Sequence, residues 1–325
     1  MSLIFNGTEV QSVFFNGVAL SDVFFNGVAI WSAYTLPNSL GVYVAVNGTT
    51  TTRIDANGAQ VGTNTDVGSS LSGWGGGASV GGNAMYYGGY ITERVYLGSP
   101  QQSYCYEDTT TFYNTVKRVT STGVLAGGQT SVGTARAGSS GAEVGGNGLF
   151  WGGYDHSNLS TVTRVSATGT IVGSETTVSG TGAGAGGAPV GGNGLFYSGG
   201  TVTRISATGT IVGSTTTVGT SRGGLGGAPV GDNGLFYGGV ASYTQQNIVT
   251  RINSTGTIVG SETTVGTARS GASGALVGVN GVFYGGNTTL SNINRIVTRI
   301  SSTGTMVGSE TQLATGISFT RGASV

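Results

Sequence analysis

VTRINSTGTIVGSETTVGTARSGASGALVGVNGVFYGG, running from Val249 to Gly286, recurs in edited form from about residue 40 to the C-terminus. Counted from the arginine of its V-T-R-I core it occurs six times, at Arg53, Arg118, Arg164, Arg204, Arg251 and Arg299. The spacings are 65, 46, 40, 47 and 48 residues. A period in this range marks a repeat architecture in which each unit is one supersecondary element. Each unit divides into four strand-sized pieces. The first is a small-residue run (GASV, GAEV, GAPV, GALV), and the second reads LFW, LFY or VFY after an Asn-Gly turn such as Asn147-Gly148 or Asn233-Gly234. The V-T-R-I piece is the third, and GTIVGSETTV is the fourth. Four antiparallel strands in a unit of ~45 residues describe a β-propeller blade. The small residues of the first piece suit the crowded strand nearest the axis.

Counting pieces fixes the number of blades. The aromatic second strand occurs six times, but small-residue strands precede only five of them, starting at Ala78, Ala142, Ala188, Ala228 and Ala275. The missing one is the end of the chain, Gly322-Ala323-Ser324-Val325, which matches the innermost strand of a blade whose other strands lie near residues 41–66. The expectation is an all-β fold: a six-bladed propeller of four-stranded antiparallel blades over residues 34–325, closed by the C-terminal strand. Closure of this kind removes a sheet edge that could aggregate.

Residues 1–33 carry a second, shorter repeat, LIFNGTEVQS, VFFNGVALSD and VFFNGVAIW, with a period of 10. Asn-Gly between β-rich runs is a strong hairpin signal, because a type I′ turn needs positive φ at both central residues. A ladder of such short strands has too little core to stand alone. Phe5, Phe14, Phe15, Phe24, Phe25 and Trp31 are therefore expected to be covered, by the chain's own body or by another subunit, and docking to another subunit is the favoured reading.

Composition narrows the function. Charged residues are 8% of the chain and the formal net charge is zero, whereas a nucleic-acid binder needs a cationic footprint. A single cysteine forms no internal disulfide and no thiolate metal site. The first residues lack the basic and long apolar regions of a signal peptide, and no run approaches the ~18 apolar residues of a membrane span. A chain made in a cytoplasm and released without ordinary secretion is expected.

Function in a repeat protein collects where the units differ. Here they differ between the second and third strands. The insertions are YDHSNLST after Trp151, VASYTQQN after Tyr237 and NTTLSNINR after Tyr284; the longest runs from Tyr90 to Thr115. Tyrosine offers rigid, amphipathic contact area suited to sugars or protein surfaces. Candidate ligand contacts are Tyr90, Tyr96, Tyr104, Tyr106, Tyr113, Tyr154, His156 and Tyr243. A second repeated feature is an arginine triplet before the first strand, TAR, TSR, TAR and FTR, giving Arg136, Arg222, Arg269 and Arg321. These arginines either line one mouth of the channel and hold an anion, or bond carbonyls between blades; the structural role is favoured. The core arginines carry a separate expectation. A turn centred at 169–170 sets Arg164 opposite Glu175, with Arg251 opposite Glu262 and Arg299 opposite Glu310. Where the glutamate is missing, Arg204 meets Thr215, Arg118 meets Gln129 and Arg53 meets Asn64. These too read as structural.

Catalytic signatures are scarce. His156 is the only histidine, without a G-x-S-x-G context, and the glycine-rich runs lack the lysine and helix of a phosphate loop. Asp108 and Asp155 could form a glycosidase pair, but the favoured reading is a protein without enzymatic activity, cofactor or metal.

Two resemblances add to this. Asn233-Gly234-Leu235-Phe236-Tyr237-Gly238-Gly239 resembles the kelch-type propeller repeat. VFFNGVALSDVFFNGVAIW is similar to the short F-N-G-V ladders that begin some bacteriophage tail and receptor-binding proteins. Together they imply a virion protein: an N-terminal segment docked on other tail subunits and a propeller bound to a host-surface glycan or outer-membrane protein. The second resemblance also implies a homo-oligomer, often a trimer. A free propeller lectin or protein-interaction module, and a capsid decoration protein, are the alternatives.

Overall fold

A computed structural model describes residues 3–5, 8–10, 14–15, 18–19, 22–25, 28–32, 40–44, 48–71, 76–96, 106–289, 294–314 and 321–325. Among the described residues no helix is long and apolar enough to cross a membrane. Six four-stranded antiparallel sheets form the blades. Blade II runs 76–131, blade III 140–177, blade IV 186–217, blade V 226–264 and blade VI 273–312. Blade I takes its innermost strand from the C-terminus: Arg321–Ser324 pairs with Leu40–Val44, which continues to Gly48–Asp55 and Thr65–Leu71. The ring therefore closes as the repeat count requires.

Two features of the sequence bring the blades together. The first is the L-F-Y run of the second strand. Successive strand residues point to opposite faces, so phenylalanine reaches the preceding blade and tyrosine the following one. Around the ring this gives Tyr87 to Phe150 at 5.2 Å, Trp151 to Phe196 at 5.5 Å, Tyr197 to Phe236 at 5.5 Å and Tyr237 to Phe283 at 5.3 Å between ring centroids. Apolar clusters accordingly straddle the blade junctions; one joins Leu195, Tyr197 and Val202 of blade IV to Phe236 and Ile252 of blade V. The second feature is a glycine in each innermost strand. A Cβ on Gly77, Gly141, Gly187, Gly227, Gly274 or Gly322 would lie 3.0 Å or closer to the carbonyl oxygen of the glycine one blade back. Only glycine lets six strands approach this closely.

The fourth piece of each repeat is less regular than the sequence suggests. In blade III, Val165 bridges Ile171, and the chain then bulges at Gly173 (φ 66°) before Thr176–Thr177 pairs with Thr161 and Val162. Thr163, not Arg164, thus faces Glu175. Because side chains alternate, a one-residue slip moves a whole set to the other face, and the expected Arg164–Glu175 pair does not form. Blades V and VI shift alike, setting Thr250 opposite Glu262 and Thr298 opposite Glu310. The same slip puts Thr203, Lys117 and Thr52, rather than Arg204, Arg118 and Arg53, opposite Thr215, Gln129 and Asn64.

The N-terminal repeat forms three separate two-stranded sheets, Leu3–Phe5 with Thr8–Val10, Phe14–Phe15 with Val18–Ala19, and Asp22–Phe25 with Val28–Ser32. Each Asn-Gly falls between paired strands as expected, but among the described residues the hairpins form separate sheets rather than one ladder. The side chains of Phe5, Phe14, Phe15, Phe24, Phe25 and Trp31 lie outside the described residues.

Candidate functional site: an aromatic groove beside the axis

The loops between second and third strands and the connections from one blade to the next lie together on one face. Isolated bridges join Ala137 to Tyr154, Gly223 to Val240 and Ser270 to Asn287. Both sets of candidate residues fall here, with opposite outcomes.

Arg136, Arg222 and Arg269 are buried, at 0%, 2% and 0% exposure. The Arg136 guanidinium lies 5.1 Å from the ring centre of Tyr87 in blade II. It donates to the carbonyls of Gly152 (3.1 Å) and Thr161 (2.9 Å) and to the Thr163 hydroxyl in blade III, and pairs with Glu175 at 3.0 Å. The Tyr87 hydroxyl donates to the Thr134 carbonyl (2.6 Å), and the Thr134 hydroxyl donates to Glu175 (2.6 Å). Arg222 repeats this set with Tyr197 and Glu262; Arg269 stacks on Tyr237, lies 3.8 Å from Glu310 and donates to the Phe283 carbonyl (3.0 Å) and the Thr298 hydroxyl (2.7 Å). These arginines are clamps between blades and have no face toward a channel mouth. Arg321 belongs to the innermost strand, opposite Val44, and not to the preceding connection; its side chain lies outside the described residues. The anion-binding alternative is thereby set aside for the three described clamps.

Partial burial raises the pKa of Glu175. Hydrogen bonds from the hydroxyls of Thr134 and Thr163 and the Thr134 N–H, together with the Arg136 charge, outweigh it and leave the carboxyl below its ordinary value. Glu262 and Glu310 are held low by the same balance. Burial moves Tyr87, Tyr197 and Tyr237 upward.

The tyrosine candidates lead to a cavity. The long insertion of blade II is a β-arm rather than an open loop: Asn83–Tyr96 and Tyr106–Val119 stay paired out to Tyr96 opposite Tyr106, with an irregularity at Tyr87/Gly89. The register sets Tyr90 opposite Phe112 and Thr92 opposite Thr110. The rings of Tyr90 and Phe112 lie 6.1 Å apart. From blade III, Tyr154 meets Phe112 edge-on at 5.8 Å, and His156 does so at 5.0 Å. Tyr90, Thr110, Phe112, Tyr154 and Asn158 line a groove of about 370 Å³ whose floor is Ala137, Gly138 and Ala183. That volume falls within the ~300–1,000 Å³ range of small-molecule sites.

Backbone strain marks the same face. Among the described residues the non-glycine positions with positive φ are His156 (85°), Ser242 (47°) and Tyr243 (63°). Such conformations persist where function or packing demands them. Tyr243 is fully exposed at the tip of the small hairpin Val240–Ala241 with Thr244–Gln245 in blade V, apart from the groove.

Of the sequence candidates, the structure thus brings together Tyr90, Tyr154 and His156. Tyr113 faces Gly89, and its carbonyl accepts from the Arg136 N–H (3.0 Å), which ties down the connection. Tyr104 and the side chains of Tyr96 and Tyr106 lie outside the described residues. Phe112, Thr110 and Asn158 escaped the sequence reading. Treating the insertion as a hairpin, with its aromatic Tyr90 and Phe112 ends as a cross-strand pair, would have found the first two. Asp155 accepts from the Ser157 hydroxyl (3.1 Å), and Asp108 has no described side chain to set against it. Among the described residues no group of three or more His, Cys, Asp or Glu is placed to hold a metal.

Comparison with solved structures agrees with this architecture. A structure titled "Structure of YjhT" superposes with a TM-score of 0.62 at 13% identity, over 86% of this chain and 98% of the other. A protein of unknown function from Bacteroides caccae gives a TM-score of 0.53 at 12% identity, over 88% and 99%. At such identities the likeness is one of fold. No protein family matches the sequence, and no curated protein is similar to it.

Proposed function

We propose that this chain is a non-enzymatic adhesion protein that binds a surface receptor in the groove between the blade II arm and the blade III loop. The observation that carries the reading is the groove itself: three aromatic side chains from two blades line an open cavity, beside a strained turn whose His156 ring packs on Phe112. Binding sites combine apolar and aromatic walls with a few oriented polar groups, and here Asn158, Thr110 and the tyrosine hydroxyls supply those groups. The likeness of residues 13–31 to phage F-N-G-V ladders supports a place in a virion. In that reading the N-terminal hairpins dock on tail subunits or on copies of the chain, and the loop face meets the host's glycan or outer-membrane protein.

The test is binding of fluorescently labelled full-length chain to a panel of bacterial strains. Tyr154→Ala is expected to abolish adhesion while the thermal unfolding profile is retained. Undiminished adhesion would remove the groove from this role. Mass spectrometry of particles from the lysate that encodes the chain tests its location. A low, fixed copy number supports a tail component, and one near that of the capsid protein indicates decoration instead. Absence from particles leaves a free lectin or interaction module. Deletion of residues 1–31 is expected to prevent incorporation and leave the propeller folded; an unfolded product would make the segment part of the domain.

A further inference from the structure

The geometry points to a neutral glycan of at least two sugar residues as the ligand, with one pyranose ring in the aromatic groove and the next crossing Gly138 toward the axial mouth. This rests on the groove being the receptor site and adds the chemical class of its occupant.

Charge selects first. Among the described residues no Asp, Glu, Lys or Arg lines the groove. The nearest buried cation below its floor, Arg136, is already paired with Glu175 and bonded to two carbonyls. An acidic sugar would leave water for a site with no cation to receive it, which is costly. A neutral pyranose matches what is present. Its apolar C–H face packs on the exposed ring of Tyr154 and the half-buried ring of Phe112, and its hydroxyls meet the Asn158 amide and the hydroxyls of Thr110, Tyr90 and Tyr154. Such aromatic platforms combine an apolar body with a polar tip.

Size and an unsatisfied hydroxyl extend the ligand. The segment Ala137–Ser140 separates two cavities. Ala137 and Gly138 floor the groove, while Gly138, Ser139 and Ser140 help line an axial depression of about 110 Å³ above the glycine ring. Ser139 is 5% exposed, and its hydroxyl has no partner. A buried hydroxyl without a partner is uncommon and calls for one. The depression, at 110 Å³ against 370 Å³ for the groove, accommodates a hydroxyl or hydroxymethyl substituent rather than a ring. Rotation of the Ser139 side chain about χ1 turns its hydroxyl, shut from solvent as it stands, into the depression that the residue lines, and a substituent of the second sugar reaching over Gly138 meets it there. Gly138 has φ 67° and no side chain to obstruct the crossing.

The experiment is saturation-transfer NMR followed by calorimetry on the full chain. The probes are glucose, galactose, maltose, cellobiose, lactose and sialyllactose. At least one neutral disaccharide is expected to bind more tightly than its component monosaccharides, and sialyllactose is expected not to gain over lactose. Tyr154→Ala should weaken mono- and disaccharide alike by about tenfold or more. Ser139→Ala should weaken only the disaccharide, by about fivefold. Preference for sialyllactose would overturn the neutral class, and equal affinity for one and two residues with a silent Ser139→Ala would overturn the extension. If no saccharide binds, yet the chain adheres to cells and Tyr154→Ala abolishes that adhesion, the glycan assignment fails and the adhesion reading survives. Loss of neither binding nor adhesion in Tyr154→Ala defeats both.

Discussion

Two junctions of the ring solve the same packing problem with different chemistry. Between blades II and III, Tyr87, Arg136 and Glu175 form the stacked and ion-paired clamp described above. Between blades III and IV all three positions change together. Trp151 replaces the tyrosine, Gly182 replaces the arginine, and Thr215 replaces the glutamate. A Cβ on Gly182 would meet the Trp151 ring at 2.5 Å, so the larger indole fills the space that the guanidinium occupies elsewhere. The correlated change explains the arginines: each is present where a carboxylate waits in the next blade and absent where none does. A residue recruited for a ligand would have no reason to follow the glutamate. The groove shows the opposite pattern, being built from insertions that no other blade shares.

Arg136→Gly is the most damaging way to test this contrast. It strands the Glu175 carboxylate and opens a cavity beside Tyr87, and loss of one partner from a buried pair costs about 3–5 kcal/mol. The figure should fall at the lower end, since Glu175 keeps some solvent contact. Denaturant unfolding reads it directly. Converting the whole junction, with Tyr87→Trp and Glu175→Thr added, should recover about 1–3 kcal/mol of that loss, as coupled neighbours do. A triple variant no more stable than Arg136→Gly would break the equivalence of the two junctions.

Gly187→Ala probes the ring away from both. Its Cβ would overlap the Gly141 carbonyl, and overpacking of a closed core costs about 1–3 kcal/mol. The same measurement on exposed Gly128, where a Cβ meets nothing within 4 Å and the backbone is not left-handed, controls for the loss of glycine.

Acid separates the clamped junctions from the uncharged one. The folded-state pKa values of Glu175, Glu262 and Glu310 lie below the unfolded carboxylate value. Their stabilisation is therefore complete above the usual carboxylate pKa of ~4.3 and is lost as pH falls through the lower folded values. The urea midpoint should drop from pH 6 to pH 3, and the three Glu→Gln changes together should flatten that limb. An unchanged slope would show that the carboxylates titrate as freely folded as unfolded.

The smallest effect on stability is expected at the groove. Tyr154 is 44% exposed, and Tyr154→Ala should alter stability by about 0.5 kcal/mol or less while removing binding. A large loss of stability would turn the groove into another structural junction.

Blade number, strand order and C-terminal closure could be read from the chain because they depend on local signals: Asn-Gly turns, two-residue alternation and a countable repeat. The presence of tyrosines in the longest insertion was legible for the same reason. The Arg–Glu register was not. It depends on where the turn sits and on two extra residues around Gly173, between the Val165–Ile171 bridge and the Val162–Thr176 pair, which together set Thr163 rather than Arg164 opposite Glu175. Nor could the sequence show that Tyr90, Phe112 and Tyr154 share a cavity. Tyr90 and Phe112 meet through hairpin pairing, and Tyr154 joins them only because blade III folds its loop against Ala137 of the preceding connection. The sequence by itself determined the ring, since each blade is a local unit that buries its faces only by stacking on the next. The tertiary structure alone decided which residues are locked between blades and which are free to meet a ligand, because burial is a property of neighbours that the chain brings together, in the clamps from positions 14 to 43 apart.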